Sequence, residues 1–317
     1  MIGVAVLAAC TALRATDPGP LSSLRGSGFD SLQRLWPRSL AEPQPVRIVD
    51  IDEASLDEIG QWPWPRTTLA TLTDELMDRM SPPRVLAAAA ELPAVREAAA
   101  PIDPQKLPDN DEIFATAVRG RPIVLSFASS GAGLSHTAPL KAGFAQTGLD
   151  ALGAPPRLAG ITTNIPVLDS AAAGIGSINI SLGLDEGVAR QIPFLLSDGT
   201  RIYPSLAAET LRIAQGADTL LLHASDDTEN AIESLVVGDL DIPLSETGAF
   251  YLYYRPEPRD LYVSAAKVLS GKQREDLRPL IEGHVVLVGT SAVGLLDVRT
   301  SALGETVPGV SVHAQAI

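Results

Sequence analysis

One cysteine, Cys10, stands in a chain of 317 residues. An intrachain disulfide and a zinc site built on several thiolates are both excluded. A lone thiol suits the cytosol and the envelope equally, so cysteine does not fix a compartment. Aromatic residues make up only 4% of the chain, which makes the close pairing of Trp62 and Trp64 locally unusual. Positive charge is scarce as well: 24 Lys and Arg face 38 Asp and Glu, a net charge of −14. A surface that acidic repels phosphate backbones, so nucleic acid is not expected as a partner, and charge alone does not dock it on anionic lipid. Long apolar runs are missing too. The uncharged opening "MIGVAVLAACTAL" (Met1 to Leu13) falls short of the about 20 residues that span a bilayer. It lacks the basic start of a signal peptide, and "LAAC" imitates a lipoprotein box without the stretch that should precede it. Residues 1–16 are read as the remainder of a membrane helix or export signal, with a buried N-terminal helix as the alternative.

What is present is an alternation of strand and helix patterns. Hydrophobic residues form 45% of the chain, enough for a sizeable core. "VRIVDI" (Val46 to Ile51) has the composition of a buried strand. Leu69, Leu72, Leu76 and Met80 share one helical face, and Pro82 and Pro83 should end that helix. "RVLAAAA" (Arg84 to Ala90) reads as a strand despite the poor β propensity of alanine. Asp109 with Glu112 imitates a capping box, and "PIVLSFA" (Pro122 to Ala128) is a clearer strand. Residues 129–166, rich in Gly, Ala, Pro and Thr, read as one long irregular excursion. Strands are then expected around Ile178 to Ile180 and Ala189 to Leu196, and a helix from Ser205. Hairpins follow through "ESLVVGDLDIPLSETGAFYLYYR", then a buried strand in "HVVLVGTSA" (His284 to Ala292) and a final helix opening at Pro308. The order implies parallel crossover units. The expected fold is α/β: a single mixed-sheet domain with flanking helices, a long Gly/Pro/Ala-rich insertion, and terminal helices leading to the membrane.

Candidate chemistry is sparse. Asp50, Asp52 and Glu53 follow a strand, where carboxylates of α/β sites sit, but Asp52 also suits the cap of the next helix. Asp109, Asp111 and Glu112 lack the loop of a calcium site. "GTSAVG" (Gly289 to Gly294) places its second glycine one residue too late for a nucleophile elbow at Ser291, and has no lysine for a phosphate loop. His136, His223, His284 and His313 are widely separated, with no metal-ligand spacing among them. In "WPWPR", Pro63 and Pro65 stiffen the turn and push Trp62 and Trp64 toward extended geometry, while Arg66 suits stacking or a carboxylate. That corner fits a ligand wall, and it fits a plug of the core at least as well. No catalytic constellation, metal site or cofactor is expected.

"VRIVDIDEASLDEIGQWPWPR" (Val46 to Arg66) resembles the opening of the CHASE type-2 domain, a cyclase/histidine-kinase-associated sensory extracellular domain. "DPGPLSSLRGSGFDSLQRLWPR", "LPDNDEIFATAV", "GIGSINISLGLDEGVARQIPFL", "YPSLAAETLR" and "VVLVGTSAVGLLDVRTSALGETVPGVSVHAQAI" agree in order, so the resemblance spans about residues 17–317. Two departures stand out. The acid that members carry near the second strand is replaced by alanine around Ala89 in "LAAAAELPAV", and the chain stops at Ile317, where a membrane helix would begin in the family.

The resemblance implies a sensor outside the cytoplasmic membrane of a bacterium, in the periplasm or extracellular space, anchored through flanking helices and working as a homodimer. It would respond to a small molecule or an envelope state and control an adenylate or guanylate cyclase. A histidine kinase, Ser/Thr kinase or diguanylate cyclase is the alternative output. Both chain ends would emerge on one membrane-facing side. On this reading Asp52, Trp62, Trp64, Arg66, Asp185 and Arg190 are the candidate ligand-binding residues. Two rivals belong to other classes: an envelope hydrolase using Asp50, Asp52 or Asp297 with Ser291, and a dimerising scaffold that has lost its ligand.

Overall fold

A computed structural model describes residues 3–4, 6–7, 10–11, 18–39, 44–79, 84–88, 109–129, 137–180, 187–272, 274–295 and 298–317. The first half runs α1 (Gly19–Leu35), β1 (Val46–Ile51), α2 (Glu53–Ile59), α3 (Arg66–Asp74), which continues as a π turn (Glu75–Arg79), β2 (Val85–Ala88), α4 (Asn110–Val118), β3 (Ile123–Ser129), β4 (Gly143–Thr147), β5 (Ile161–Thr162), α5 (Pro166–Ala171) and β6 (Gly174–Ser177). Next come β7 (Val188–Ala189), β8 (Gln191–Pro193), β9 (Leu195–Ser197), β10 (Ile202–Pro204), α6 (Leu206–Gln215), β11 (Thr219–Ala224), β12 (Ile232–Val237), β13 (Leu240–Pro243) and β14 (Ala249–Tyr251). The chain closes with β15 (Tyr262–Ser264), α7 (Ala265–Ser270), α8 (Arg274–Ile281), β16 (Val285–Thr290), β17 (Val298–Ser301), β18 (Thr306–Pro308) and α9 (Gly309–Ala316).

The main sheet runs β15-β1-β16-β2-β3-β6, all parallel, with β5 antiparallel on β3. Parallel sheets are covered on both faces, so their strands are apolar throughout. Accordingly all six residues of β1 are buried, although two of them, Arg47 and Asp50, carry charge. One face packs on α3, α4, α7 and α8 through residues such as Leu69, Leu76, Phe114, Val268 and Ile281. The other face packs on Leu206 of α6 and on Val310 and Ala314 of α9. The far side of α6 buries Ala207, Ala208 and Leu211 against the second sheet, ordered β13-β12-β11-β4, while Val312 and Ala316 of α9 join the same second core beside β8, β17 and β18. Helix α9 is buried along its whole length, and its three polar residues, Ser311, His313 and Gln315, are each hydrogen-bonded inside. Close approach requires glycine: a Cβ on Gly289 would lie 2.5 Å from Val310, and one on Gly176 would lie 2.6 Å from the Ser205 carbonyl.

Most expected elements recur. Asp109 accepts from the Asp111 and Glu112 amides, and Ser205 accepts from the Ala208 amide, as N-caps. Three differences have physical causes. The expected single mixed sheet is several sheets, because α6 lies between the main sheet and the second one. Within residues 129–166, β4 extends the second sheet parallel to β11; its exposed "GFAQT" carries no apolar alternation to announce it. The strand expected at Ile178 to Ile180 lies earlier, at β6, where "GIGS" has little β propensity but the glycine admits α6. Met80, Pro82, Pro83 and residues 89–108 lie outside the described residues. No helix among the described residues is long and apolar enough to cross a membrane.

Candidate functional site

The carboxyl edge of a parallel sheet is where open α/β folds place ligands and reactive groups. Here β1, β15 and β16 end side by side and bring a cluster of acids and hydroxyls together. Asp52 caps α2: its Oδ1 accepts from the Ser55 amide at 2.9 Å, the Ser55 hydroxyl at 2.6 Å and the Ser264 hydroxyl at 2.9 Å. Ser55 Oγ in turn accepts from the Ala266 amide at 3.0 Å, tying α2 to α7. Glu53 Oε1 accepts from the Val293 amide at 2.8 Å, which holds the turn after β16.

Asp50 is the anomaly of this edge. It is only 7% exposed, and its Oδ2 accepts from the Ser291 hydroxyl at 2.6 Å. Its Oδ1 is buried with no hydrogen-bond partner. Burial pushes its pKa up to about 6; the Ser291 bond opposes the shift, and the neighbouring charges of Asp52 and Glu53 add to it.

The hydrolase reading required Asp50 and Ser291 to converge, and they do. Their chemistry is incomplete. A serine nucleophile needs a base matched to its proton and oxyanion donors where charge develops. Among the described residues no histidine joins the pair: His313 bonds the Ile178 carbonyl through Nε2, and His284 bonds the Glu282 carbonyl through Nδ1, while His136 lies outside them. Asp52, committed to three donors, is a structural cap. Asp297 lies outside the described residues, and among those described no cluster of acids, histidines and cysteines could hold a metal ion.

The tryptophan corner is built into the core. Trp64 is 3% exposed and donates Nε1–H to the Gly60 carbonyl at 2.8 Å. Trp62 meets it edge to face, with ring centroids 5.8 Å apart. Trp62 also walls a narrow apolar cavity of about 40 Å³ with Leu72, Leu76, Phe114, Ile123 and Leu125. Arg66, the first residue of α3, donates Nε–H to Asp111 at 3.0 Å and so links the starts of α3 and α4.

Arg190 sits elsewhere. Its Nε and Nη2 donate to the two carboxylate oxygens of Asp30 on α1, at 3.0 and 2.9 Å. Asp185 lies outside the described residues. The candidates thus divide among an edge cap, a core corner and a clamp on α1.

A family model, the CHASE2 domain, matches residues 4–317. The chain belongs to the CHASE2 domain family. CHASE2 domains are sensory domains, typically the extracellular parts of cyclase and kinase receptors. Comparison with curated proteins gives no match, and comparison with solved structures gives none either.

Sequence reasoning passed over the way α1 and α9 meet the body. Helix α1 is held mainly by polar ties. Beyond Asp30, Gln33 donates to the Leu252 carbonyl and accepts from the Tyr254 amide, and Arg34 donates to the Ala302 carbonyl. Just past α1, the Arg38 amide donates to the Tyr254 carbonyl at 2.9 Å, and its guanidinium donates to the Gln315 carbonyl in the last turn of α9 at 3.3 Å. The signal available in the sequence was the run of polar residues at one helical spacing, Gly26, Asp30, Gln33 and Arg34, in a helix whose leucines fall opposite.

Proposed function

We propose that this CHASE2 domain is the extracytoplasmic sensor of a bacterial transmembrane receptor, and that it controls a cytoplasmic adenylate or guanylate cyclase. The domain itself performs no catalysis. The observation that carries the reading is the direct join between the segment after α1 and the last turn of α9, through Arg38 and Gln315. Two elements joined this way and held by discrete hydrogen bonds have few intermediate positions. A signal that favours one arrangement shifts a population rather than bending the fold gradually. Self-association belongs to the same reading: Leu21, Leu24, Leu32 and Leu35 are exposed along the side of α1 opposite Asp30 and Gln33, at a spacing that matches a second copy of itself.

Topology reporters test the location. Alkaline phosphatase inserted at the Gly238–Asp239 turn in the receptor should be active, and green fluorescent protein at the same turn should stay dark. A fluorescent, phosphatase-negative result overturns the reading. The cyclase assignment is tested by cyclic nucleotide levels in cells expressing the receptor with Asp30→Asn, which should differ from the unaltered receptor. The Asp50–Ser291 contact favours the hydrolase as a second reading. Turnover of a phosphate or ester substrate that Ser291→Ala abolishes would establish it.

A further inference from the structure

Arg38, Arg47 and Arg255 come together around the end of α9. Gln315 joins two of them: its Oε1 accepts from the Arg255 amide, its Nε2 donates to the Arg255 carbonyl, and its own carbonyl accepts from the Arg38 guanidinium. Arg47 enters from the start of β1, with Nη1 on the Gln44 and Val46 carbonyls and Nη2 on Asp260 at 3.3 Å. Arg47 and Arg255 are each only 4% exposed. Four of the guanidinium nitrogens are buried without a partner: Nε of all three arginines and Nη1 of Arg255.

The fold's other buried arginines are treated differently. Arg190 has both oxygens of Asp30, and Arg212 has both oxygens of Glu209 at 2.7 and 2.8 Å. Near Arg255 the acids are spent elsewhere. Asp260 pairs with Arg47, and Glu257 accepts from the Tyr262 and Ser311 hydroxyls. Among the described residues neither Arg38 nor Arg255 has a carboxylate within hydrogen-bond reach.

We propose that Arg38, Arg47 and Arg255 form a binding site for a small oxyanion, a phosphate, sulfate or carboxylate group, held chiefly by the unpartnered donors of Arg255 and Arg38. Guanidinium forks match such groups in geometry and charge, and a buried guanidinium left alone is a costly state. Burial, then repulsion from Arg38 and Arg47, pull the Arg255 pKa down against the more weakly felt charges of Glu257 and Asp260, yet an arginine stays protonated at any working pH. An anion relieves that repulsion. It also bridges the segment after α1 to the last turn of α9; that this bridge carries a signal rests on the sensory reading, whereas the binding stands without it.

The test is a thermal melt of the full chain titrated with sodium phosphate, sulfate or malonate, against sodium chloride at equal ionic strength. Wild type should show a saturable rise in Tm of roughly 5 °C at 100-fold excess over Kd with at least one oxyanion. Arg255→Gln should lose most of that rise, Arg255→Lys should keep part of it, and Arg157→Gln, an exposed arginine elsewhere, should keep all of it. If Arg255→Gln does not fold, Arg38→Gln at the rim carries the same expectation. A wild-type melt no different from chloride with all three anions overturns the site, as does a full response in both Arg255→Gln and Arg38→Gln. Neither result touches the topology of the receptor, which the reporter fusions read separately.

Discussion

Arg47 and Asp50 lie on the same fully buried strand, β1, and the two ends of that strand handle charge in opposite ways. Asp50 has one oxygen satisfied by Ser291 and one left bare. A carboxyl group in that position has an escape, because it can take up a proton, and its pKa rises to about 6 as a result. Arg47 and its neighbours Arg38 and Arg255 have no such escape, since guanidinium does not release its proton near neutral pH. A buried acid can settle its own charge. A buried arginine needs an anion from outside itself, which Asp30 supplies to Arg190 and no described carboxylate supplies to Arg255.

The greatest loss should come from stripping a paired arginine of its partner. Asp30→Ala removes the carboxylate that both Nε and Nη2 of Arg190 engage and should cost about 3–5 kcal/mol in denaturant unfolding; a loss below about 1 kcal/mol would show that pairing matters little in this fold. The next test works on the acid. Because the folded pKa of Asp50 is raised above its unfolded value, its favourable contribution is complete below pH 3.8 and is lost as pH rises through about 6. Asp50→Asn keeps the Ser291 bond and removes the buried charge, so at pH 7.5 the variant should gain on the order of 2 kcal/mol over wild type, and at pH 3.5 it should gain almost nothing. Equal gains at both values would contradict the assignment.

His313 sharpens the same contrast from the basic side. Burial first, and the nearby Arg299 charge after it, lower its pKa to about 4, against the bond to the Ile178 carbonyl. Its contribution is present above pH 6.5 and lost as pH falls toward 4, opposite in sign to that of Asp50. In the Asp50→Asn background one opposing gain is removed, so stability should fall between pH 6.5 and 4 by about 1–2 kcal/mol more than it does in wild type. The smallest effect belongs to an exposed acid: Asp109→Ala should cost about 1 kcal/mol, the value of a helix cap. A cost as large as that of Asp30→Ala would mean that exposure does not divide the two classes.

The parts of the fold legible in the sequence were those with a periodic apolar signal or a cap: β1, β3, α3, β16, and the starts of α2 and α6 at Asp52 and Ser205. Strand β4 was not legible because its edge residues are exposed, and β6 was not because glycine there serves an approaching helix. At the site, the cap role of Asp52 and the plug role of Trp64 follow from local geometry, and the sequence supports both. The Asp30–Arg190 clamp joins residues 160 positions apart, the arginine cluster brings Arg255 from far along the chain to Arg38 and Arg47, and nothing local marks Arg255 as unpaired. Tertiary partners decide the state of a buried charge, and a single sequence does not display them.

The central claim is that α1 is a discrete movable element held on the body by its polar ties. Spin labels placed by Ser27→Cys on the exposed side of α1 and by Asp239→Cys in the β12–β13 turn, with Cys10 replaced by serine, measure it directly through a pulsed-EPR distance distribution. The account predicts one narrow distance in the otherwise unaltered domain and a second, separate population when Asp30→Asn weakens the clamp. A single unchanged distance in both proteins would contradict it.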